Sequence, residues 1–217
     1  MKTKNKKVAR APHISPWRDP DFEKSLVIGL LLMGVSLLIN YFASSFASKN
    51  ISQPVTDIVL SNLPQFNSDG AIIVLSLILV AIIVVHSLRH PKKIPMLLKS
   101  VAVFVIIRAI FINLTHIGPF SPNLAESFNT ILSFNLGNNG DYFFSGHTGL
   151  PFLAALGFWR DKTMRNIFLI GSFTLGALVL LGHFHYSIDV FGAFFITYAI
   201  HHINIRLFKK DWHRFRE

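Results

Sequence analysis

A histidine and an aspartate four residues apart, His185 and Asp189, occur in the stretch HFHYSIDV (183–190). If this stretch is helical, the two side chains lie one turn apart on one face of the helix. The carboxylate can then hold the proton on one ring nitrogen and leave the other nitrogen as a base or a nucleophile. The structural alternative is an acid at a helix N-terminus, a position that is favourable without any catalytic role.

A second histidine, His147, follows a serine and a glycine in the stretch FSGHTG (144–149), directly before an apolar run. Ser145 is a typical N-cap and Gly146 allows a tight turn, so the stretch predicts the start of a helix. A helix N-terminus presents free N–H groups to an anion, the serine adds a hydroxyl group, and the histidine can deliver a proton. Together these groups fit a phosphate pocket, and a plain helix cap at the water line is the alternative.

An arginine, Arg108, lies within a third apolar stretch. An ionisable side chain at membrane depth costs about 2.5–3.5 kcal/mol on insertion scales, and such residues usually mark function. The guanidinium group offers a fork of donors that suits a phosphate. The alternative is an ion pair with Asp189, Asp141 or Glu126.

The elements that must position these residues are membrane helices. Hydrophobic residues make up 51% of the 217 residues, only 15% are charged, and the mean hydropathy is +0.47, which is too apolar for an ordinary soluble domain. A spanning helix needs about 20 mostly apolar residues. The apolar runs therefore predict an all-α fold, an integral membrane bundle of six transmembrane helices, at roughly 25–47, 70–88, 96–115, 145–159, 166–182 and 187–205.

The basic residues predict how this bundle is oriented. Nineteen of the 21 Lys and Arg fall into four clusters, at 1–24, 86–99, 159–166 and 206–217. These clusters occupy alternate ends of a six-helix serpentine, so the positive-inside rule predicts that both termini are cytoplasmic. The histidines, the aspartate and the arginine described above then lie toward the extracytoplasmic face.

The same distribution bounds the function and the domain organisation. The net charge of +10 is explained by topology, so no nucleic-acid partner is expected. The chain has no cysteine, which excludes disulfide and thiolate chemistry. We expect one membrane catalytic domain (25–205) between a basic N-terminal segment (1–24) and a basic cytoplasmic tail (206–217).

Two stretches, GDYFFSGHT (140–148) and HFHYSIDVFGAFFITY (183–198), resemble the signature blocks of the sphingomyelin synthase family, a branch of the type-2 phosphatidic acid phosphatase superfamily. RAIFINLTHIGP (108–119) is similar to the third-helix block of that family, and QPVTDIVLSNLP (53–64) is similar to its Pro-rich first outer loop. The resemblance implies six transmembrane helices, an active site at the extracytoplasmic face, a phospholipid or sphingolipid substrate, and no metal or other cofactor.

The resemblance also implies roles for individual residues. His185 would be the nucleophile that accepts the phosphoryl group or phospho-headgroup, Asp189 would orient it, and His147 would be the general acid. The other residues expected to bind the substrate or its phosphate are Arg108, Ser145, Gly146, Asp141, Tyr142 and His183. The expected protein is a membrane phosphatase or phosphotransferase of lipid phosphate esters, and it is compatible with a homo-oligomer.

Two other functions fit the same residues. An intramembrane hydrolase would use Ser145 as the nucleophile, or a zinc ion held by His147, His183, His185 and Asp189. A non-enzymatic, proton-linked transporter would use histidine and arginine side chains along a path. A transporter would require polar residues at successive depths across the membrane, whereas the second and fifth predicted helices are nearly free of them.

Overall fold

The structure is a computed structural model that describes residues 16–120 and 143–216. Within these residues the chain is helical and has no β-strand, which confirms the all-α class. The α-helices in the two ranges are α1 (Pro20–Lys49), α2 (Asp69–Arg89), α3 (Ile94–Leu114), α4 (Gly146–Gly157), α5 (Lys162–Leu181), α6 (Ser187–Leu207) and α7 (Lys209–Arg216).

Five of these helices, α1, α2, α3, α5 and α6, are long and apolar enough to cross a membrane, which supports an integral membrane protein. The predicted fourth crossing corresponds to α4, which has only 12 residues. At 1.5 Å per residue α4 is about 18 Å long, which is shorter than a hydrocarbon core of about 30 Å. Five spans are therefore supported by helix length, and the sixth stays a prediction.

Helix α4 lies at the centre of the packing. It contacts α5 along one side and α6 along another, while α1 packs along α3, α2 packs on α5, and α3 packs on α6. The close approach of α4 depends on Gly149, because a Cβ atom there would lie 2.8 Å from the Phe104 ring and 2.9 Å from Thr197 Oγ1. A glycine at this position thus lets α4 contact α3 and α6 at the same time.

The end of the bundle away from His147 is held by a buried ionic network. Lys99 Nζ on α3 lies 2.6 Å from Asp211 Oδ2 on α7, and the hydroxyl group of Ser25 on α1 donates to Asp211 Oδ1 at 2.6 Å. A buried ion pair is tolerated when further hydrogen bonds satisfy its atoms, as the serine does here. Residues 209–216 of the predicted basic tail therefore form a helix that is packed against α1 and α3.

Candidate active site at the starts of α4 and α6

The first turns of α4 and α6 are joined directly. The backbone N–H of Ser145, the N-cap of α4, donates to the backbone carbonyl of Asp189 in α6 at 3.1 Å. Ser145 Oγ accepts the N–H of Thr148 at 3.4 Å, so the predicted cap is present. This junction brings the two signature stretches together, although about 40 positions separate them in the sequence.

Arg108 reaches this junction from α3. Its side chain is buried, and its Nε donates to the carbonyl of Phe144 at 3.2 Å. Phe144 has a φ of +29°, a left-handed conformation that costs a residue with a Cβ atom about 1–2 kcal/mol. Its fully buried ring packs edge-on against Phe104 and Phe111, and this packing holds the strained turn in place. This conformation directs the carbonyl oxygen of Phe144 toward Arg108.

His185 lies in a turn and not in a helix. Helix α5 ends at Leu181, α6 begins at Ser187, and His183 in the turn between them has a φ of +57°. The condition that residues 185–189 form one helical turn is therefore not met, whereas the predicted start of the sixth helix at residue 187 is confirmed. The two residues still meet, because the N3 position of a helix points back toward the residues that precede it.

The His185–Asp189 contact is part of the N-terminal cap of α6. Asp189 Oδ2 lies 3.5 Å from His185 Nδ1 and accepts the backbone N–H of Tyr186 at 3.0 Å. Asp189 is fully buried and His185 is nearly so. A carboxylate beside Nδ1 favours the proton on that nitrogen, which leaves Nε2 as the basic nitrogen. The geometry is thus that of a histidine oriented by an acid.

His147 and Arg108 belong to the same cluster. His147 interacts electrostatically with both His185 and Arg108, and Arg108 interacts in the same way with Asp189. A Cβ atom on Gly146 would lie 3.6 Å from Arg108 Nε, so the arginine also borders the first turn of α4. The ion pair of Arg108 with Asp189 stays an alternative.

Three of the predicted substrate-binding residues need separate mention. One contacts a loop, and two lie outside the described residues. His183 Nε2 is 3.1 Å from the carbonyl oxygen of Leu63, which belongs to the loop between α1 and α2 (residues 50–68, the first loop). Asp141 and Tyr142 lie outside the described residues. Their binding roles stay predictions.

Asp57 in the first loop is a contributor that sequence reasoning missed. Its Oδ1 accepts the N–H groups of Val59 at 2.8 Å and Leu60 at 3.1 Å, and its Oδ2 accepts the N–H of Ser187 at 2.7 Å. Burial raises the pKa of Asp57, but these N–H donors outweigh it, so the pKa lies below its usual value. One carboxylate thus ties the first loop to the start of α6, two residues from His185.

Tyr186, next to His185, anchors the same region from the other side. Its hydroxyl group donates to the carbonyl of Gly118 at 2.7 Å and accepts the N–H of Val55 at 3.2 Å. Gly118 must be a glycine here, because a Cβ atom would collide with the carbonyl of Ser52. The turn that carries the histidine is therefore held by the first loop and by the segment after α3.

For the contacts of Asp57 and Tyr186 between the first loop and the start of α6, the only sequence signal was the similarity of residues 53–64 to a Pro-rich loop. The partners are 130 positions apart for Asp57 and Ser187, and 131 for Val55 and Tyr186. No periodicity or spacing rule connects residues at such a separation.

We expect Asp57→Asn to lower the thermal midpoint of the purified protein at pH 7, by the equivalent of about 1–2 kcal/mol for weakened caps. The pKa of Asp57 is depressed below 3.8 in the folded state. Its stabilisation is therefore complete above the unfolded pKa and is lost as the pH falls through the folded pKa. The difference between wild type and variant should shrink below about pH 3.8.

The control for this comparison is Glu23→Gln, which neutralises an exposed acid in the first turn of α1. It should change the midpoint much less at pH 7. A midpoint difference for Asp57→Asn that is the same at pH 7 and pH 3 would contradict a role for the charge.

The described residues offer no ligand set for the zinc alternative. Among them no group of three or more histidine, aspartate or glutamate side chains could hold a metal ion. Of the four residues in that alternative, His183 is turned toward the carbonyl of Leu63.

The fold and the site together define an α-helical integral membrane protein with a buried histidine–aspartate pair, a second histidine and an arginine at one end of the bundle. Residues 139–205 match the family model described as PAP2 superfamily C-terminal, which supports the type-2 phosphatidic acid phosphatase superfamily. The match spans both signature stretches and does not distinguish the sphingomyelin synthase branch. Comparison with curated proteins gives no match.

Proposed function

We propose that this protein is a membrane phosphatase or phosphotransferase that acts on lipid phosphate esters through a phosphohistidine intermediate, in the manner of the sphingomyelin synthases. The observation that carries the proposal is the meeting of His185, Asp189, His147 and Arg108 where α4 and α6 begin. The superfamily match over residues 139–205 supports the same class of reaction.

His185 is the nucleophile in the first step. Its Nε2 attacks phosphorus and forms a P–N bond while the bond from phosphorus to the lipid oxygen breaks. The positive charge that develops on the ring is stabilised by Asp189 beside Nδ1. The covalent intermediate divides one difficult displacement into two easier ones.

His147 carries the proton. It protonates the lipid alkoxide that leaves in the first step, and in the second step it takes a proton from the water or alcohol that attacks the phosphohistidine. Arg108 and the N-terminal N–H groups of α4, with Ser145 and Gly146, stabilise the charge on the phosphoryl oxygens. Because the same histidine serves water and alcohol, hydrolysis and transfer use the same residues.

The substrate class follows from the surroundings of the site. The site lies at the ends of helices of which α3, α5 and α6 are long and apolar enough to cross a membrane, so a lipid can present its phosphate from the bilayer while its tails stay in hydrocarbon. The proposal keeps the topology with cytoplasmic termini and an extracytoplasmic site, and a phospholipid or sphingolipid as donor. It assigns His183 to holding the first loop and not to binding phosphate.

The test is a product analysis with purified full-length protein in H₂¹⁸O. The protein is incubated with isotope-labelled phospholipids of several headgroups, with and without diacylglycerol or ceramide. We expect free phosphate, a free phospho-alcohol or a new phospholipid, identified by mass. If water is the acceptor, ¹⁸O should enter the phosphorus-containing product, because the P–O bond is the one that breaks.

The alternatives give different products. A hydrolase that uses Ser145 on an acyl ester would place ¹⁸O in a fatty acid, and its activity would be lost in Ser145→Ala. A transporter would move its solute across proteoliposomes without any new product. The absence of a phosphorus-containing product from every lipid would contradict the proposed function.

A further inference from the structure

A cavity of about 910 Å³ opens at the end of the bundle opposite the candidate active site. It lies between the end of α4, the last turns of α6 and the helix α7, and its wall includes His202. His202 is 13 positions after Asp189 on α6, which is about 20 Å along the helix. The cavity is therefore separate from the site described above.

The polar part of the cavity wall is mainly cationic. Lys93, Arg160 and Arg216 line it, against a single acid, Asp161. That acid is already engaged, because its Oδ1 accepts the N–H groups of Thr163 and Met164, each at 3.1 Å, as the N-cap of α5. The cavity thus has an excess of positive charge that suits an anion.

Packing holds two of the cations at the wall. Lys93 Nζ donates to the backbone carbonyl of Phe215 at 2.6 Å and lies 4.6 Å from the centre of the Phe215 ring. The guanidinium group of Arg216 lies 5.7 Å from the centre of the Trp212 ring. These cations are pre-positioned, so less side-chain entropy is lost when an anion binds.

The rest of the wall is aromatic and apolar. Trp159 and Tyr198 line the cavity and are about half exposed, at 53% and 54%, while Leu156 and Phe158 line its buried side. Tryptophan and tyrosine side chains favour the headgroup level of a bilayer, where one part of the ring system is apolar and the other is wet. A free phosphate ion would use the cations but not this apolar surface.

We infer that this cavity binds the headgroup of an anionic phospholipid from the leaflet at that end of the bundle. The lipid phosphate contacts Lys93, Arg160 and Arg216, and the upper acyl chain contacts Trp159 and Tyr198. The inference does not depend on the proposed catalytic function, since no residue is shared with the site at α4 and α6. Such a lipid would bridge α4, α6 and α7.

The first test measures retained lipid. Full-length protein in nanodiscs of equal parts phosphatidylglycerol and phosphatidylcholine is released into mild detergent, and bound lipid is identified by native mass spectrometry. We expect wild type to retain phosphatidylglycerol in preference, and Arg160→Gln/Arg216→Gln to weaken this retention by at least about tenfold. The control is Arg89→Gln/Arg206→Gln, which removes two exposed cations at the same end that do not line the cavity.

An equal loss of phosphatidylglycerol retention in both double variants would mean that diffuse surface charge attracts the lipid, and it would overturn the inference. Equal retention of phosphatidylcholine by wild type would also overturn it, as would complete displacement of the lipid by 10 mM inorganic phosphate.

A second test needs no change to the cations. The chain has three tryptophans, and in Trp17→Phe the remaining two, Trp159 and Trp212, both line the cavity. Phosphatidylglycerol brominated near the top of its acyl chains should quench their fluorescence more strongly than phosphatidylcholine brominated at the same position. Equal quenching by the two lipids would contradict a headgroup-selective site.

Discussion

The His185→Ala protein is expected to lose lipid turnover by a factor on the order of 10³ or more, and to lose covalent phosphate labelling completely. The variant has no nitrogen to attack phosphorus, so the intermediate cannot form. The cap of α6 should survive, because the Tyr186 N–H still donates to Asp189 Oδ2 and the Ser187 N–H still donates to Asp57. The measurement combines product formation with trapping of acid-labile, labelled phosphate on the protein.

Two further variants sharpen this test. His185→Asn keeps an amide near the carboxylate of Asp189 and should be equally inactive, which separates nucleophilic chemistry from loss of the hydrogen bond. His213→Ala removes an exposed histidine on α7 and should keep both turnover and labelling. Acid-labile labelling that persists in His185→Ala would assign the nucleophile elsewhere.

The His147→Gln protein is expected to lose turnover of natural lipid esters by about 10²–10⁴-fold, the usual contribution of a general acid. Glutamine keeps a polar group near Arg108 and His185 but cannot give up a proton at neutral pH. The loss of activity should depend on the leaving group, because a nitrophenolate is stable without protonation and an alkyl alkoxide is not. The measurement is the rate of the first labelling event with an alkyl and with a nitrophenyl ester of the same phosphate group.

Near-normal labelling by the nitrophenyl ester, followed by slow turnover, is the outcome that supports proton transfer by His147. An equal loss of labelling with both esters would instead indicate that His147 binds or positions the phosphate. Arg108→Gln provides the comparison, since a phosphate-binding cation should affect both esters alike.

The helices could be predicted from the sequence with few errors. The apolar runs locate α1 to α6 within a few residues, because lipid and core both select apolar side chains over a length set by the membrane. The expected neighbours His185 and Asp189 do meet, but through the cap of a helix that begins at Ser187. The predicted start of this helix at residue 187 is confirmed, but the spacing alone does not distinguish a helical pair from a cap contact, since both bring the two residues together.

Other features had no local signal at all. The carboxylate of Asp57 looks like any acid of an outer loop until the fold brings the Ser187 N–H to it. The ionic network of Lys99, Asp211 and Ser25 is equally invisible, because it joins three helices that are distant in the chain.

What the sequence determined by itself is the type of each element and the level of each polar side chain along it. Hydrophobicity and a fixed rise per residue set these properties, and both act over one helix at a time. Only the tertiary structure decided which helix ends are neighbours, and so which histidine, arginine and aspartate share one cluster. That choice depends on close contacts such as Gly149 against Phe104 and Ser145 against Asp189, between residues that no local pattern connects.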